Sequence, residues 1–394
     1  MGTVAGAGHP MDPASISWHD TKRYAWLLGL AIPMLPFVAA GLVKATGITV
    51  FWWLGPLFVF GIVPVLDTLV GKDSENPPDS MIASLEGDRY YRWCLYLFLP
   101  LQFAALVGAC FEWSSGSLSV VDCLGLAATM GVVGGAGICT AHELGHKSEK
   151  VERWLSKITL AQTGYGHFFV EHNRGHHVRV ATPEDPASSR LGESFWAFLP
   201  RTVRGSLVSA WEIEKLRLRL KGKPAFSLEN DAVNAWVMTV ALYGNIAGRF
   251  REVDSAMADD SGGAGLQFAG NYLEHYGLAR RKLPDGRFEP CAQRHSWNSN
   301  QIVSNVLLYH LQRHSDHHAY PSRRYQSLRS YEEAPELPSG YGTMAVIALI
   351  PPLWRNIMDP KVIAHYGGRT ALANVHPSRR QRYGLDGEEA NGVQ

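Results

Sequence analysis

Residues 118–146 read LSVVDCLGLAATMGVVGGAGICTAHELGH, an apolar run that ends on a pair of histidines. The apolar part, Leu118–Cys139, is long enough for a helix that crosses about 30 Å of hydrocarbon. His142 and His146 follow at positions i and i+4, which share one face of a helix. The segment therefore predicts a membrane helix that presents two imidazoles at one membrane surface.

Further apolar runs predict an all-α fold, a polytopic helical bundle in a membrane with a histidine-rich helical part outside it. They cover Tyr24–Leu42, Ile48–Leu69, Trp93–Cys110 and Ala232–Gly248. We expect residues 1–23 to form a polar tail without a signal-peptide pattern and 24–365 to form the membrane-embedded domain. Residues 366–394 are a polar tail, which we expect to fray after about residue 377.

Two other stretches are apolar in part but do not read as membrane spans. Leu207–Leu220 is amphipathic and basic, which predicts a helix lying on the membrane or against the bundle. Tyr341–Trp354 contains Pro351 and Pro352, so we interpret it as a packed or re-entrant segment.

Composition excludes some classes of partner and cofactor. The formal net charge of +1 gives no indication of a nucleic-acid partner. The five cysteines form no C-x-x-C pair, which favours free buried thiols and excludes an iron domain held by four cysteines within this chain.

The segment 249–270 interrupts this pattern where a sixth span is expected. Without a sixth span, His275 would lie across the membrane from the other histidine clusters. The segment contains four acidic residues and two arginines, each of which costs about 2.5–3.5 kcal/mol at mid-bilayer. Because codons exist for Glu252–Gly270 whose one-base-shifted reading is apolar, we hypothesise two compensating frame changes. The alternative is a genuine polar loop, with five spans or another topology.

Three histidine clusters have spacings that place imidazoles on one helix face, and they predict a metal centre with more than one metal. Besides the first pair, the chain contains His172-Asn-Arg-Gly-His176-His177 and His314-Ser-Asp-His317-His318. Imidazole binds iron, zinc, copper and nickel well. The lone His275, in Asn-Tyr-Leu-Glu-His-Tyr-Gly, is a much weaker signal.

An acidic residue lies beside each cluster, and metal-bound histidines usually donate their second N–H to such a group. The four candidates are Glu143, Glu171, Glu274 and Asp316. One of them could also be a ligand, and the alternative is that they are ordinary surface acids. Of the remaining histidines, we expect His167 and His310 to line the site without ligating, and the others to face solvent. Those others are His9, His19, His295, His365 and His376.

The motifs as a set resemble those of the bacterial membrane-bound alkane 1-monooxygenases, from about residue 20 to about residue 365. The resemblance is carried by four runs, which are His142-Glu-Leu-Gly-His-Lys147, Glu171-His-Asn-Arg-Gly-His-His177 with Val180-Ala-Thr-Pro-Glu-Asp-Pro186, Asn271-Tyr-Leu-Glu-His-Tyr-Gly-Leu278, and Leu311-Gln-Arg-His-Ser-Asp-His-His-Ala319. The departure from the family is the sixth helix, which should line the substrate slot.

The resemblance implies six transmembrane helices in the bacterial inner membrane with both termini cytoplasmic. It implies terminal hydroxylation of medium-chain n-alkanes with O₂ at two non-haem irons. The implied ligands are His142, His146, His172, His176, His177, His275, His314, His317 and His318. Trp52 and Trp53 are candidates for the bulky residue that limits chain length, or else interfacial aromatics. The chain has no nucleotide-binding glycine motif and no four-cysteine site, and the resemblance implies that electrons come from a separate rubredoxin and rubredoxin reductase. The oligomeric state is not indicated.

Three other functions fit part of the pattern. A membrane fatty-acid desaturase or hydroxylase uses related histidine clusters. An intramembrane zinc protease would use His142-Glu-Leu-Gly-His146 as an H-E-x-x-H motif, with Glu143 as general base, but the other clusters would then be unexplained. A metal transporter would place its ligands near the middle of the membrane, whereas these clusters follow the ends of spans.

Overall fold

The computed structural model describes residues 18–249 and 261–385. In this part of the chain the structure is helical, and β pairing is limited to isolated bridges. The all-α prediction is therefore confirmed.

Four helices of the described residues are long and apolar enough to cross a membrane. They are α1 (Ala25–Thr46), α2 (Thr49–Val70), α4 (Arg89–Ser114) and α5 (Val120–Gly145), with the short α3 (Asp79–Gly87) before α4. These four coincide with the first four predicted spans. The chain between α1 and α2 turns at Gly47, whose φ of +72° is readily adopted by glycine.

Helix α5 lies at the centre of the bundle and carries the first histidine pair to its end. Ser119 and Asp122 form a capping box at its start. Its glycines permit close packing of neighbouring helices, since a Cβ at Gly137 would lie 2.6 Å from Nε2 of Gln102. The helix continues through His142 to Gly145, so the histidine pair is the direct extension of a membrane span.

The remaining helices pack around the end of α5. They are α6 (Lys150–Ala161), α7 (168–179), α8 (Phe195–Leu220), α9 (Asp231–Arg249), α10 (Ser261–His275), α11 (Ile302–Leu307), α12 (His314–Ala319), α13 (Tyr341–Ala348) and α14 (Pro351–His365). Short 3₁₀ turns occur at Gln293–His295, Tyr325–Ser327, Thr370–Leu372, Pro377–Arg379 and Gln381–Tyr383. A core of buried aromatic and aliphatic side chains, including Phe168, Tyr272 and Trp354, joins α7, α10 and α14.

Helix α9 covers the fifth predicted span, and α10 covers the end of the segment where a sixth span is expected. Neither is among the four described helices that are long and apolar enough to cross a membrane. Helix α9 begins beside the core that surrounds the histidines, and its Ile246 packs in the core of the membrane bundle. Helix α10 ends at His275 and packs along α5. Residues 261–270 of the anomalous segment are thus helical, and 250–260 lie outside the described residues. The number of six spans remains a prediction.

The two other apolar stretches and the C-terminal tail also have defined positions. Leu207–Leu220 is the second half of α8, which packs against α7 and α10. Tyr341–Trp354 is divided between α13 and α14, with Tyr341, Met344 and Trp354 buried and Leu349, Ile350 and Leu353 exposed. Its interpretation as a packed or re-entrant segment stays a prediction. The prediction of a frayed tail after residue 377 is wrong as far as residue 385. The Tyr383 hydroxyl donates to Asp359 at 2.6 Å, and Leu385 is buried.

Candidate metal centre

The nine candidate histidines converge into two adjacent groups. The first group contains His142, His146, His172, His177 and His317, and the second contains His176, His275, His314 and His318. Within each group, one nitrogen of every ring lies within 4.8 Å of those of all other members. All nine predicted ligands are therefore brought together from four separate parts of the chain.

The five-histidine group joins the end of α5 to α7 and α12. Nε2 of His177 lies 3.0 Å from Nε2 of His172 and 3.1 Å from Nε2 of His317. The rings of His142 and His146 complete the group, with centroids 4.3 Å and 4.6 Å from the ring of His317.

The four-histidine group joins α7, α10 and α12. Nε2 of His318 lies 3.2 Å from Nε2 of His176 and 2.9 Å from Nε2 of His314. The ring of His275 lies 4.9 Å from that of His176 and 5.1 Å from that of His314. The two groups are in contact, since the rings of His177 and His318 are 4.3 Å apart.

These separations fit a pair of metal ions. Two nitrogens that each lie ~2.1 Å from one ion and subtend a right angle are separated by roughly 3.0 Å, which matches the observed Nε2–Nε2 distances. In addition, Nε2 of His142, His146 and His275 is buried without a hydrogen-bond partner. A buried polar atom without a partner is costly. One metal ion in each group would satisfy these nitrogens, since His142 and His146 belong to the first group and His275 to the second.

A π-helical turn at His172–His176 decides which histidine belongs to which group. In this turn the residues that share a face are five apart, so His172 and His177 meet in the first group. His176 faces the second group instead. The rings of His172 and His176 still lie 5.1 Å apart, as the predicted common face requires, but they belong to different groups. The α-helical spacing holds for His314 and His318.

Two carboxylates contact ligand histidines directly. Oε2 of Glu274 lies 3.2 Å from Nε2 of His314, and its Oε1 accepts a hydrogen bond from the Tyr341 hydroxyl at 3.0 Å. Oδ2 of Asp185 lies 2.8 Å from Nδ1 of His176. Asp185 was not predicted as a site residue, although the run Val180–Pro186 that contains it carries part of the family resemblance.

The other three predicted acids, Glu143, Glu171 and Asp316, contact residues around the site instead of the ligand histidines. Glu143 pairs with Lys147 at 2.9 Å and accepts from the backbone N–H of Tyr325 at 3.1 Å. These contacts leave Glu143 poorly placed to act as the general base of a zinc protease.

Glu171 lies 3.3 Å from Nη2 of Arg179, which holds the two ends of α7 together. Asp316 pairs with Arg323 and accepts from the backbone N–H of Arg329. Neither acid forms a hydrogen bond with a histidine among the described contacts.

The surroundings keep most of the described ligand histidines uncharged, which is the form that binds a metal ion. Burial, followed by the charge of the neighbouring imidazoles, lowers the pKa of His172, His177 and His317 well below its usual value. His176 differs, because its burial, which lowers the pKa, is outweighed by Asp185, and the pKa is raised. The same pairing lowers the pKa of Asp185 to about 2, although burial opposes this.

An apolar cavity of about 90 Å³ lies between α5, α10 and α13. Val132 and Cys139 of α5 line it on one side, and Leu273 of α10 on another. Leu308 and Leu311 close the end nearest the histidines. Side chains of α10 thus line the cavity together with those of α5.

A smaller cavity of about 10 Å³ lies between this space and the metal centre. It shares Cys139, Leu308 and Leu311 with the larger cavity and is also lined by His142 and His317. An apolar molecule in the larger cavity would therefore point one end at the five-histidine group.

Trp52 and Trp53 do not line either cavity beside the histidines, as far as the described residues show. Trp52 lines a separate cavity of about 200 Å³ together with Phe37 and Leu126. The ring of Trp53 packs on Gly125, where a Cβ would lie 2.6 Å from its Nε1. A role in limiting chain length remains a prediction for both residues.

The histidines outside the two groups behave differently from the prediction in one case. His295 was expected to face solvent, but it is buried, and its Nε2 lies 3.2 Å from Oε1 of Glu289. His19 is exposed, His365 and His376 are half-buried, and His9 lies outside the described residues.

His167 and His310 are both buried but belong to neither ligand group. His167 packs on Tyr165, and His310 packs on Trp26. The prediction that they do not ligate is consistent with these positions.

The bundle and its paired histidine groups define a membrane protein of the fatty acid desaturase type, and the Fatty acid desaturase family model matches residues 120–251 and 261–348. Within this class, the chain belongs to the alkane 1-monooxygenase family. It is 45% identical to the alkane 1-monooxygenase of Acinetobacter baylyi over 371 residues, which cover 92% of this chain and 90% of that protein.

Two other relatives are similar over the same extent. The chain is 42% identical to alkane 1-monooxygenase 1 of Alcanivorax borkumensis, over 94% of this chain and 93% of the relative. It is also 42% identical to the alkane 1-monooxygenase of Ectopseudomonas oleovorans, over 92% of this chain and 91% of the relative. The chain is therefore an enzyme of a monooxygenase family with a metal-binding site at a membrane.

Proposed function

We propose that this chain hydroxylates medium-chain n-alkanes to 1-alkanols with O₂ at a centre of two non-haem irons. The observation that carries the proposal is the apolar cavity along α5, which leads through Cys139, Leu308 and Leu311 to His142 and His317. A substrate without polar groups can be held only by shape and by exclusion of water, and this cavity offers both.

The shape of the cavity determines which carbon of the alkane reaches the histidines. Val132 lies ten residues before His142 on α5, which corresponds to about 15 Å along the helix. An extended alkane of medium length fits between these two positions. The narrow passage beside His142 admits the end of a chain more readily than its middle, which favours attack on the terminal carbon.

The two histidine groups would each hold one iron. Iron bound there would supply the oxidising power to cleave an unactivated C–H bond with O₂ and two external electrons. Nine imidazole nitrogens suit iron. The Asp185 carboxylate fixes the orientation of His176 through Nδ1, whereas Glu274 lies on the nitrogen of His314 that faces the group.

We further propose that the protein lies in the bacterial inner membrane with six spans and both termini cytoplasmic. Helices α9 and α10 would be the fifth and sixth spans. The hypothesis of two frame changes is supported only over 252–260, where the match of the family model is interrupted, because the match resumes at residue 261 in the frame as written. The coding DNA tests it, because a one-base shift across this region must open an apolar reading frame.

The reaction is tested on membranes that contain the chain, incubated with octane or with acyl-lipid. We expect 1-octanol from octane and iron at about two ions per chain, in line with the two ligand groups. A new double bond or an internal hydroxyl group in the acyl-lipid, without 1-octanol, would instead identify a desaturase or acyl-lipid hydroxylase. One zinc per chain and no oxygenation would contradict both.

The electron donor requires a separate test. We propose a rubredoxin, reduced by rubredoxin reductase, because the chain contains no four-cysteine site and no nucleotide-binding glycine motif. Adding NADH, rubredoxin and its reductase to the membranes should start octane hydroxylation. Activity that is the same without rubredoxin would exclude this donor.

A further inference from the structure

Four aromatic side chains form a continuous path that the proposed reaction does not use. The ring of Tyr325 lies 5.2 Å from that of Tyr309, 5.1 Å from that of Trp26 and 6.1 Å from that of Tyr91. All three pairs are edge-to-face contacts within the range of direct ring packing. We call Tyr309, Tyr325, Trp26 and Tyr91 the aromatic path.

The inner end of the aromatic path lies at the metal centre. Tyr309 lines the same small cavity as His142 and His317. Its backbone has a φ of +51°, and that of the next residue, His310, is +54°. Such conformations are strained for residues other than glycine and are concentrated at functional sites. The strained backbone thus holds Tyr309 between the cavity that His142 and His317 line and the Cys94 carbonyl, to which its hydroxyl donates.

The two ends of the aromatic path differ in their ability to accept a proton. The hydroxyl groups of Tyr309 and Tyr325 donate to backbone carbonyls, at 3.3 Å and 3.0 Å, and a carbonyl is a very weak base. At the other end, Oδ2 of Asp20 accepts both from Nε1 of Trp26 and from the hydroxyl of Tyr91, each at 2.9 Å. A carboxylate is a far stronger proton acceptor than a carbonyl.

Asp20 also has a route to solvent. It lines a polar cavity of about 20 Å³ with Lys22, Glu75 and His310, which is enough space for one water molecule. Asp20 itself is only partly buried. A proton accepted by Asp20 can therefore pass to water outside the protein.

We propose that the aromatic path carries oxidising equivalents away from the metal centre when it has reacted with O₂ and no substrate is present. Trp26 or Tyr91 loses one electron, which passes through Tyr325 and Tyr309 and reduces the oxidised metal centre. The proton of the oxidised side chain moves to Asp20. A thiol reductant then returns one electron and one proton. This inference rests on the proposed oxygenase function.

Because Asp20 is basic, the oxidised site moves along the aromatic path toward Trp26 and Tyr91. Loss of the proton to Asp20 stabilises the radical at Trp26 or Tyr91, whereas Tyr309 and Tyr325 have no comparable acceptor. The oxidised site is therefore moved from the ligands His142 and His317 to Trp26 or Tyr91, which are themselves fully buried but donate hydrogen bonds to the partly exposed Asp20. The reductant donates its electron from the solvent side of Asp20. Without the path, the ligands and Tyr309 would be oxidised themselves.

The test is oxidation of the full-length iron-loaded protein in lipid nanodiscs with its electron donor, O₂ and catalase, without alkane. Mass spectrometry of peptides then locates oxidised side chains. We expect oxidation at Trp26 or Tyr91 in the unmodified chain. Tyr325→Phe should lower it several-fold and shift oxidation to Tyr309 and the ligand peptides. Asp20→Asn, a change at a partly exposed position, should have the same effect without loss of folding.

Tyr96→Phe is the matched control. The Tyr96 hydroxyl also donates to a carboxylate, that of Glu152 at 2.9 Å, but its only ring partner among the described contacts is Trp93. This variant should leave the oxidation pattern unchanged.

Three outcomes overturn the proposal. Oxidation at Trp26 and Tyr91 that is unchanged in Tyr325→Phe and Asp20→Asn would show that diffusing oxidants cause it. A chain that makes 1-octanol but is never oxidised at these residues would refute the path while the proposed function stands. A chain that consumes no O₂ would refute both.

Discussion

Nδ1 of His176 lies 2.8 Å from Oδ2 of Asp185, and both side chains are fully buried. The carboxylate requires Nδ1 to carry the proton, so Nε2 is left to face the four-histidine group. A loop residue thus sets the orientation and tautomer of a ligand that belongs to α7.

Asp185→Asn should weaken metal binding at the four-histidine group and leave the five-histidine group intact. An outer carboxylate of this kind typically contributes 10–100-fold in metal affinity. During stepwise dialysis against a chelator, the iron content of the variant should therefore fall to about one ion per chain at an earlier step than the iron content of the unmodified protein. Glu184→Gln is the control, because Glu184 is adjacent but exposed. Equal loss in the two variants would contradict the assigned role.

Single ligand substitutions should distinguish the two groups. His177→Ala removes a member of the first group and His318→Ala a member of the second. Each should lower iron content by about one ion per chain and abolish octane hydroxylation, because the proposed reaction needs both metals. His167→Ala, which changes a buried histidine outside both groups, should retain both ions. Loss of all iron in each ligand variant would indicate one shared site.

Gly175→Ala should loosen the π-helical turn that separates His176 from His172. A Cβ at Gly175 would lie 2.7 Å from Nη2 of Arg179 and 2.9 Å from Oε1 of Glu171. Arg179 would have to leave Glu171, at a cost of about 1–3 kcal/mol. Thermal unfolding followed by circular dichroism should show a lower midpoint, together with lower iron content.

Gly244→Ala is the matched control for this change. Gly244 lies within α9, and a Cβ there would meet no atom within 4 Å. Alanine is favoured over glycine in a helix by up to about 1 kcal/mol, so this variant should be as stable as the original or more so. A lower midpoint in both variants would show that the clash at Gly175 is not the cause.

Much of the fold and most of the ligands could be predicted because local patterns specify them. Helix α5 is recognisable from hydropathy alone, and it leads directly into His142. The spacing of His314 and His318 correctly predicts that they share a group. His275 is a lone histidine, and only its resemblance to a family motif identified it as a ligand.

The remaining features depend on geometry that residue spacing does not contain. The same sequence is compatible with an α-helical or a π-helical turn. Residue spacing alone therefore could not show that His172 shares its group with His177 instead of His176. Asp185 lies in a loop without periodicity, and its contact with His176 depends on how that loop folds back. The cavity joins residues from α5, α10 and α13 that are far apart in the sequence.

Val132→Phe should shorten the longest alkane that the enzyme accepts. Val132 lines the apolar cavity on α5, about 15 Å along the helix from His142. A larger side chain there removes space for the distal end of a long substrate but leaves the passage beside Cys139 unchanged. Each methylene that no longer fits costs about 1–3 kcal/mol in selectivity, or 10–200-fold. The ratio of dodecane to octane turnover should therefore fall by at least tenfold.

Val121→Phe is the control for this prediction, because Val121 lies on the same helix but is 62% exposed on its outer surface. It should leave the dodecane to octane ratio unchanged. If Val132→Phe lowered the turnover of both alkanes equally, the cavity would not determine which alkane lengths the enzyme accepts. If neither variant changed the ratio, the substrate would have to reach His142 and His317 by another route.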